Sequence, residues 1–168
     1  MIMQGSSALE RVSAEALDAA MTTYYEDNKD HASRADVFDA PVMLAGFSQG
    51  GIVAAAFAEN RSDTYNVVQV LTAGSPIGNF DIPHDISVIA SEADPVSGAD
   101  GTQNPERWET LTADNGGGGG LGSHDVLRYA LLAESAAGTP QEQNKLDDFL
   151  GVRDDRVISD YYAVKESK

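Results

Sequence analysis

The chain contains no cysteine. A disulfide, a thiol nucleophile and a thiolate metal site are therefore all excluded, and cysteine usage says nothing about the redox compartment. Basic residues are scarce as well: 11 lysines and arginines stand against 27 aspartates and glutamates, for a net charge of −16. Such a surface repels nucleic-acid phosphate and anionic lipid, so neither is expected as a partner. So few lysines are also compatible with a halophilic or extracellular setting. The chain has only three histidines, His31, His84 and His124, so a general base has few places to come from. No apolar run approaches the ~20 residues that a membrane-spanning helix needs, and the first residues have neither the basic start nor the apolar stretch of a signal peptide. A soluble protein is expected, cytoplasmic by default and secreted if the N-terminus is truncated.

With 42% hydrophobic and 7% aromatic residues over 168 positions, the chain is long enough for one domain with a sizeable core and too short for two comfortable ones. Residues 1–168 are read as that single domain. Ser7-Ala8-Leu9-Glu10 has capping-box form and is followed by apolar residues at helical spacing, which predicts an amphipathic helix from Ala8 to Asn28. Lys29 to Ala40 is polar and reads as a surface loop. Apolar strands are predicted at Val42 to Phe47, Val67 to Leu71 and Ile86 to Ala90, with a weaker fourth at Arg107 to Leu111. Helices are expected from Gln49 to Glu59, Asp125 to Ala136 and Gln141 to Leu150. The run Asn115 to Gly120 lacks the Lys-Ser/Thr ending of a phosphate loop and reads as a linker. Val157 to Tyr162 reads as a short edge strand or a packed tail. Strands apolar on both faces with long connections indicate an α/β protein, a mostly parallel sheet of about four strands with flanking helices.

Gly46-Phe47-Ser48-Gln49-Gly50 lies where the first strand gives way to a helix. A serine nucleophile presented on such a turn needs small neighbours two residues before and after it, and Gly46 and Gly50 hold those positions, where a side chain is expected to crowd the turn. A serine hydroxyl needs a base, and the base an orienting acid. Functional groups of open parallel sheets gather at the carboxyl ends of the strands. That rule selects Asp94, after the third strand, and His124, after the fourth. Ser48, Asp94 and His124 succeed one another in the order of the α/β-hydrolase triad. His31 and His84 read as surface residues, and Glu92, Asp100 and Asp125 as competing surface carboxylates, Asp125 also as a first-turn helix charge. The backbone N–H of Gln49 would hold part of an oxyanion. No metal or organic cofactor is implied.

From Pro41 to Ala130 the chain resembles α/β-hydrolases of the lipase and esterase kind. Gly46-Phe47-Ser48-Gln49-Gly50 is similar to the elbow of cutinases, where glutamine commonly follows the serine. Thr72-Ala73-Gly74-Ser75-Pro76-Ile77-Gly78-Asn79-Phe80 and Asp94-Pro95-Val96 resemble the segments that class 3 lipases and related esterases place after the next two strands. The resemblance implies hydrolysis of carboxylic esters, often of lipids, by Ser48, Asp94 and His124, with an ester or lipid-like small molecule as substrate.

In that fold several strands precede the nucleophile strand, and a loop after one of them gives the second oxyanion N–H. Here one helix and a loop precede it, as if the chain were the C-terminal portion of the fold. The nucleophile strand is then expected at a sheet edge, covered by a second copy of the chain, a partner or a missing N-terminal segment. Three other readings remain. One is a non-catalytic fragment that serves as an interaction module, another a patatin-like Ser-Asp acylhydrolase using Asp100-Gly101, and the third an acyltransferase with the same triad.

Overall fold

The computed structural model describes residues 2–113 and 124–136. Four strands form one sheet: β1 (Val42–Phe47), β2 (Val67–Ala73), β3 (Ser87–Glu92) and β4 (Glu109–Thr112). All neighbours are parallel and the order is β1-β2-β3-β4. The helices are α1 (Ile2–Asn28), α2 (Arg34–Phe38), α3 (Gln49–Arg61) and α4 (Val126–Ala136).

The sheet carries two sets of side chains with opposite fates, because successive residues of a strand point to opposite faces. Leu44, Val70 and Val88 are in register on one face. Val70 and Val88 join a core with Ala54, Ala55, Phe57 and Ala58 of α3 and with Ile77, Ile82, Ile86 and Trp108 of the connections. The alanine run of α3 is both strongly helix-favouring and thin, so the helix backbone lies close to the sheet, with Ala55 and Ala58 fully buried. Three successive parallel crossovers that step in one direction across a sheet with one handedness must all cover the same face. The irregular segments between β2 and β3 and between β3 and β4 therefore lie on the side of α3, where Ile77, Ile82 and Trp108 do the packing of a helix.

Ala45, Phe47, Leu71, Ala73, Ile89 and Leu111 belong to the opposite face. Together with Val126, Tyr129 and Ala130 of α4 they line a cavity of about 420 Å³.

Outside the sheet, α1 packs on α3. Glu10 is 5% exposed, and its Oε1 accepts the Arg61 Nε–H at 2.5 Å. Tyr65 Oη donates to Asp18 Oδ1 at 2.9 Å.

Several elements extend beyond their expected bounds. The first helix begins at Ile2, α3 reaches Arg61 and β2 reaches Ala73. β4 is shifted to Glu109–Thr112, because Trp108 turns into the core and Arg107 donates to the Ile82 carbonyl. The expected surface loop from Lys29 to Ala40 contains α2. Ser33 and Asp36 form a reciprocal capping box there, and Val37 is the residue this short helix buries. The glycine run Asn115 to Gly120, the helix Gln141 to Leu150 and the segment Val157 to Tyr162 lie outside the described residues.

β1 is an edge strand: among the described residues it pairs with β2 alone. A groove of about 390 Å³ beside it is lined by Leu9 and Ser13 of α1, Leu44, and Gln49, Val53 and Phe57 of α3. No described helix is long and apolar enough to cross a membrane.

Candidate active site

The carboxyl edge of the sheet is held in line by backbone hydrogen bonds that continue past the strands. The Ser48 N–H donates to the Ala73 carbonyl at 2.8 Å and the Gly74 N–H to the Ser91 carbonyl at 2.9 Å. Ser48 therefore stays locked to β2 while its chain turns from strand to helix. Its backbone adopts φ 54°, ψ −120°, and it is the one non-glycine residue with positive φ among the described residues. That conformation costs on the order of 1–3 kcal/mol and persists where the surroundings over-determine it. The Ser48 hydroxyl does not cap α3, so it is not consumed by the helix it precedes.

Gly46 is required by this turn, since a Cβ there would stand 2.2 Å from the carbonyl carbon of Gly50. Gly50 is not required for space. A Cβ at that position meets nothing within 4 Å, which corrects the expectation that both flanking glycines relieve crowding. The second tight position is Gly51, where a Cβ would meet Ser75 Oγ at 2.1 Å. The helix leans on the segment after β2 at residue 51, while residue 50 faces outward.

Asp94 and His124, far apart in sequence, meet directly: His124 Nδ1 lies 2.8 Å from Asp94 Oδ2. The Asp94 side chain has no solvent exposure and that of His124 18%. Burial by itself pushes the Asp94 carboxyl up. Hydrogen bonds from Tyr129, His124 and the Val96 N–H outweigh it, and the net displacement is below the ordinary carboxylate value. An ionised carboxylate can only accept, so the Nδ1 that faces Asp94 carries a proton, and in the neutral ring Nε2 is left with its lone pair. Nε2 is buried and without a hydrogen-bond partner. The imidazole stacks on the Phe47 ring, centroids 4.7 Å apart. Phe47 precedes Ser48, so the imidazole and Ser48 occupy adjacent ground. The hydrogen bond between Nε2 and the serine hydroxyl is not made here.

The competing acids have other occupations. Asp125 Oδ1 accepts the Leu127 N–H at 2.9 Å and caps α4. Glu92 Oε1 accepts from Asn104 Nδ2 at 2.6 Å. Asp100 Oδ1 accepts the Thr102 N–H at 3.1 Å, in a loop that Thr102 Oγ1 fastens to Asn79 Oδ1 at 2.7 Å. A Cβ on Gly78 would strike the Thr102 carbonyl oxygen at 2.8 Å. The Gly78-Asn79 pair thus joins the connections after β2 and β3, which holds the Asp94 loop in place. His31 and His84 are exposed.

Two site neighbours escape sequence reasoning. Gly74, at φ 57°, leaves room for the imidazole: a Cβ there would stand 2.8 Å from His124 Cε1. Tyr129, 3% exposed, donates its hydroxyl to Asp94 Oδ2 at 2.5 Å and accepts the Ala93 N–H at 3.1 Å. Its place five residues after His124, on the inward side of α4, is visible only once that helix is docked. Among the described residues, no group of three or more histidines and carboxylates could hold a metal ion. Comparison of the chain with models of protein families, with curated proteins and with solved structures finds no match.

Proposed function

We propose that this protein is a serine hydrolase of carboxylic esters, α/β-hydrolase-like in its catalytic arrangement. The observation that carries the reading is the buried Asp94–His124 pair at 2.8 Å, standing beside a serine held at φ 54° between a parallel strand and a helix. In the proposed reaction His124 Nε2 removes the Ser48 proton as Oγ attacks the ester carbonyl. Asp94 holds the tautomer and stabilises the imidazolium. The tetrahedral oxyanion takes the Gln49 N–H, an unpaired first-turn donor of α3, and such a donor is worth about 3 kcal/mol in the transition state. His124 then returns the proton to the leaving alkoxide, and water cleaves the acyl-enzyme by the same route in reverse. With an alcohol in place of that water, the same residues perform acyl transfer.

The substrate we infer is a neutral, ester-bearing or lipid-like small molecule, since the acidic surface disfavours polyanions. A strand added along β1, from a second copy of this chain, would cover the groove at Gln49 and bring a further backbone donor near the oxyanion.

A dyad of Ser48 with Asp100 is less well supported, because Asp100 serves its own loop. The open Nε2–Ser48 gap and the bare β1 edge favour one rival, a non-catalytic module that keeps the elbow as a structural turn. A fluorophosphonate probe separates them. The hydrolase reading expects labelling of the wild type that is lost in Ser48→Ala and falls at least a hundredfold in His124→Ala. Absence of Ser48-dependent labelling would mean that Ser48 is not an activated nucleophile.

A further inference from the structure

We infer that Tyr129 is a positioning residue for the Asp94–His124 pair, fastening α4 to the end of β3 and sharing the carboxylate oxygen that orients the base. The bearing on catalysis rests on the hydrolase reading. The tether itself rests on geometry alone.

His124 lies two residues before α4, so the position of the imidazole depends on where that helix docks. The docking is apolar and incomplete. Val126, Leu127 and Leu131 are 54%, 69% and 65% exposed, and a cavity of about 420 Å³ lies between the helix and the sheet. Apolar contact around an open cavity is non-directional and sets no register along the helix axis. The Tyr129 hydroxyl supplies direction through two hydrogen bonds to the adjacent residues Ala93 and Asp94. Its donor and acceptor roles are both fixed: the Ala93 N–H can only give, and the Asp94 carboxylate can only accept. The ring is held too, tilted against Phe47 with centroids 5.7 Å apart and edge-on to His124 at 6.5 Å.

Asp94 Oδ2 consequently receives two donors, the His124 Nδ1–H and the Tyr129 O–H. The second keeps the buried carboxylate ionised without competing for its other oxygen, which takes the Val96 N–H at 2.7 Å. The groups that bear on this carboxylate are His124 and Tyr129 from the α4 side and the Val96 amide from its own loop, while the charge of Glu92 at the end of β3 bears on Tyr129. Burial and the bond to Asp94 both raise the Tyr129 phenol well above its ordinary value, so it remains a donor at any working pH.

Replacing Tyr129 by Phe keeps the ring and deletes both hydrogen bonds. Carboxyl carbon NMR of the whole chain is expected to show the Asp94 midpoint about one pH unit higher, the tenfold change that loss of a charge-assisted bond produces. Phosphonylation of Ser48 by the fluorophosphonate is expected to slow roughly tenfold. An Asp94 midpoint that does not move overturns the inference. A wild type that resists phosphonylation while the Asp94 midpoint rises in the variant refutes the hydrolase reading and leaves the tether standing. Should Tyr129→Phe not fold, 3-fluorotyrosine at position 129 keeps the hydroxyl and strengthens it as a donor. The Asp94 midpoint must then fall below that of the wild type, and an unchanged midpoint overturns the tether.

Discussion

The spacing of glycines around Ser48 invites a paired perturbation, Gly46→Ala against Gly50→Ala, because the five-residue pattern treats the two as equivalent and the structure does not. At position 46 the new methyl would lie 2.2 and 2.3 Å from the Gly50 carbonyl carbon and oxygen and 2.4 Å from the Gly51 nitrogen, where ordinary contact begins near 3.4 Å. The obstacles are backbone atoms at the start of α3, so no rotamer change relieves them. The helix must back away by about 1 Å, and Ala54, Ala55, Phe57 and Ala58 are packed in the core that would have to move with it. Overpacking a tight interior costs about 1–3 kcal/mol where side chains can adjust, so the upper end, about 3 kcal/mol, is expected here. In a chain of this size that lowers Tm by roughly 6–12 °C.

At position 50 the methyl enters open space on a helix, where alanine is preferred over glycine by up to about 1 kcal/mol. Urea and thermal unfolding monitored by circular dichroism measure both. The reasoning fails if the two variants lie within about 1 kcal/mol of each other, or if Gly50→Ala is the weaker protein.

Local geometry sets two further outcomes. Ser48→Gly relieves the strained φ of 54° and is expected to be about 1 kcal/mol more stable than Ser48→Ala, whose Cβ retains the strain; equal stabilities would remove the case for stored strain at the elbow. Burial, reinforced by the hydrogen bond to Asp18 and its charge, pushes the Tyr65 hydroxyl up from 10.0 to about 12. A raised folded value means its contribution is complete below pH ~10 and is lost as pH rises toward ~12. Wild type should therefore lose on the order of 2 kcal/mol relative to Tyr65→Phe across that interval, and parallel alkaline unfolding curves would contradict it.

The strands and the order of the three site residues were legible because both depend on local pattern. Val67 to Leu71 and Ile86 to Ala90 are apolar runs bounded by turns, and a parallel sheet sends the residues just past each strand to one edge. Asp94 and His124 meet for that reason. The edge position of β1 among the described residues was legible too, because the residues before it read as one helix and a loop with no further strand. The features that escaped depend on contacts between distant segments. Gly51 is tight because of Ser75, and Tyr129 matters because α4 lies beneath Phe47. The short helix α2 escaped for a different reason. Its charged residues outweigh the one apolar anchor, Val37, although the Ser33-x-x-Asp36 cap stood in the sequence.

The single-sided winding of the sheet has a kinetic consequence. Every crossover from β1 to β4 covers the same face, and each joins strands that are neighbours both in sequence and in the sheet, so the loops that must close are the shortest such a parallel order allows. Among the described residues, the other face meets α4, the helix that His124 leads into and Tyr129 fastens. Docking α4 and bringing the imidazole to Asp94 are thus one event, and because α4 packs on β3 and β4 it is expected to follow their pairing. The site is then a late reporter of folding. A population with an intact sheet but an undocked α4 would retain its secondary structure while Asp94 had neither histidine nor tyrosine beside it.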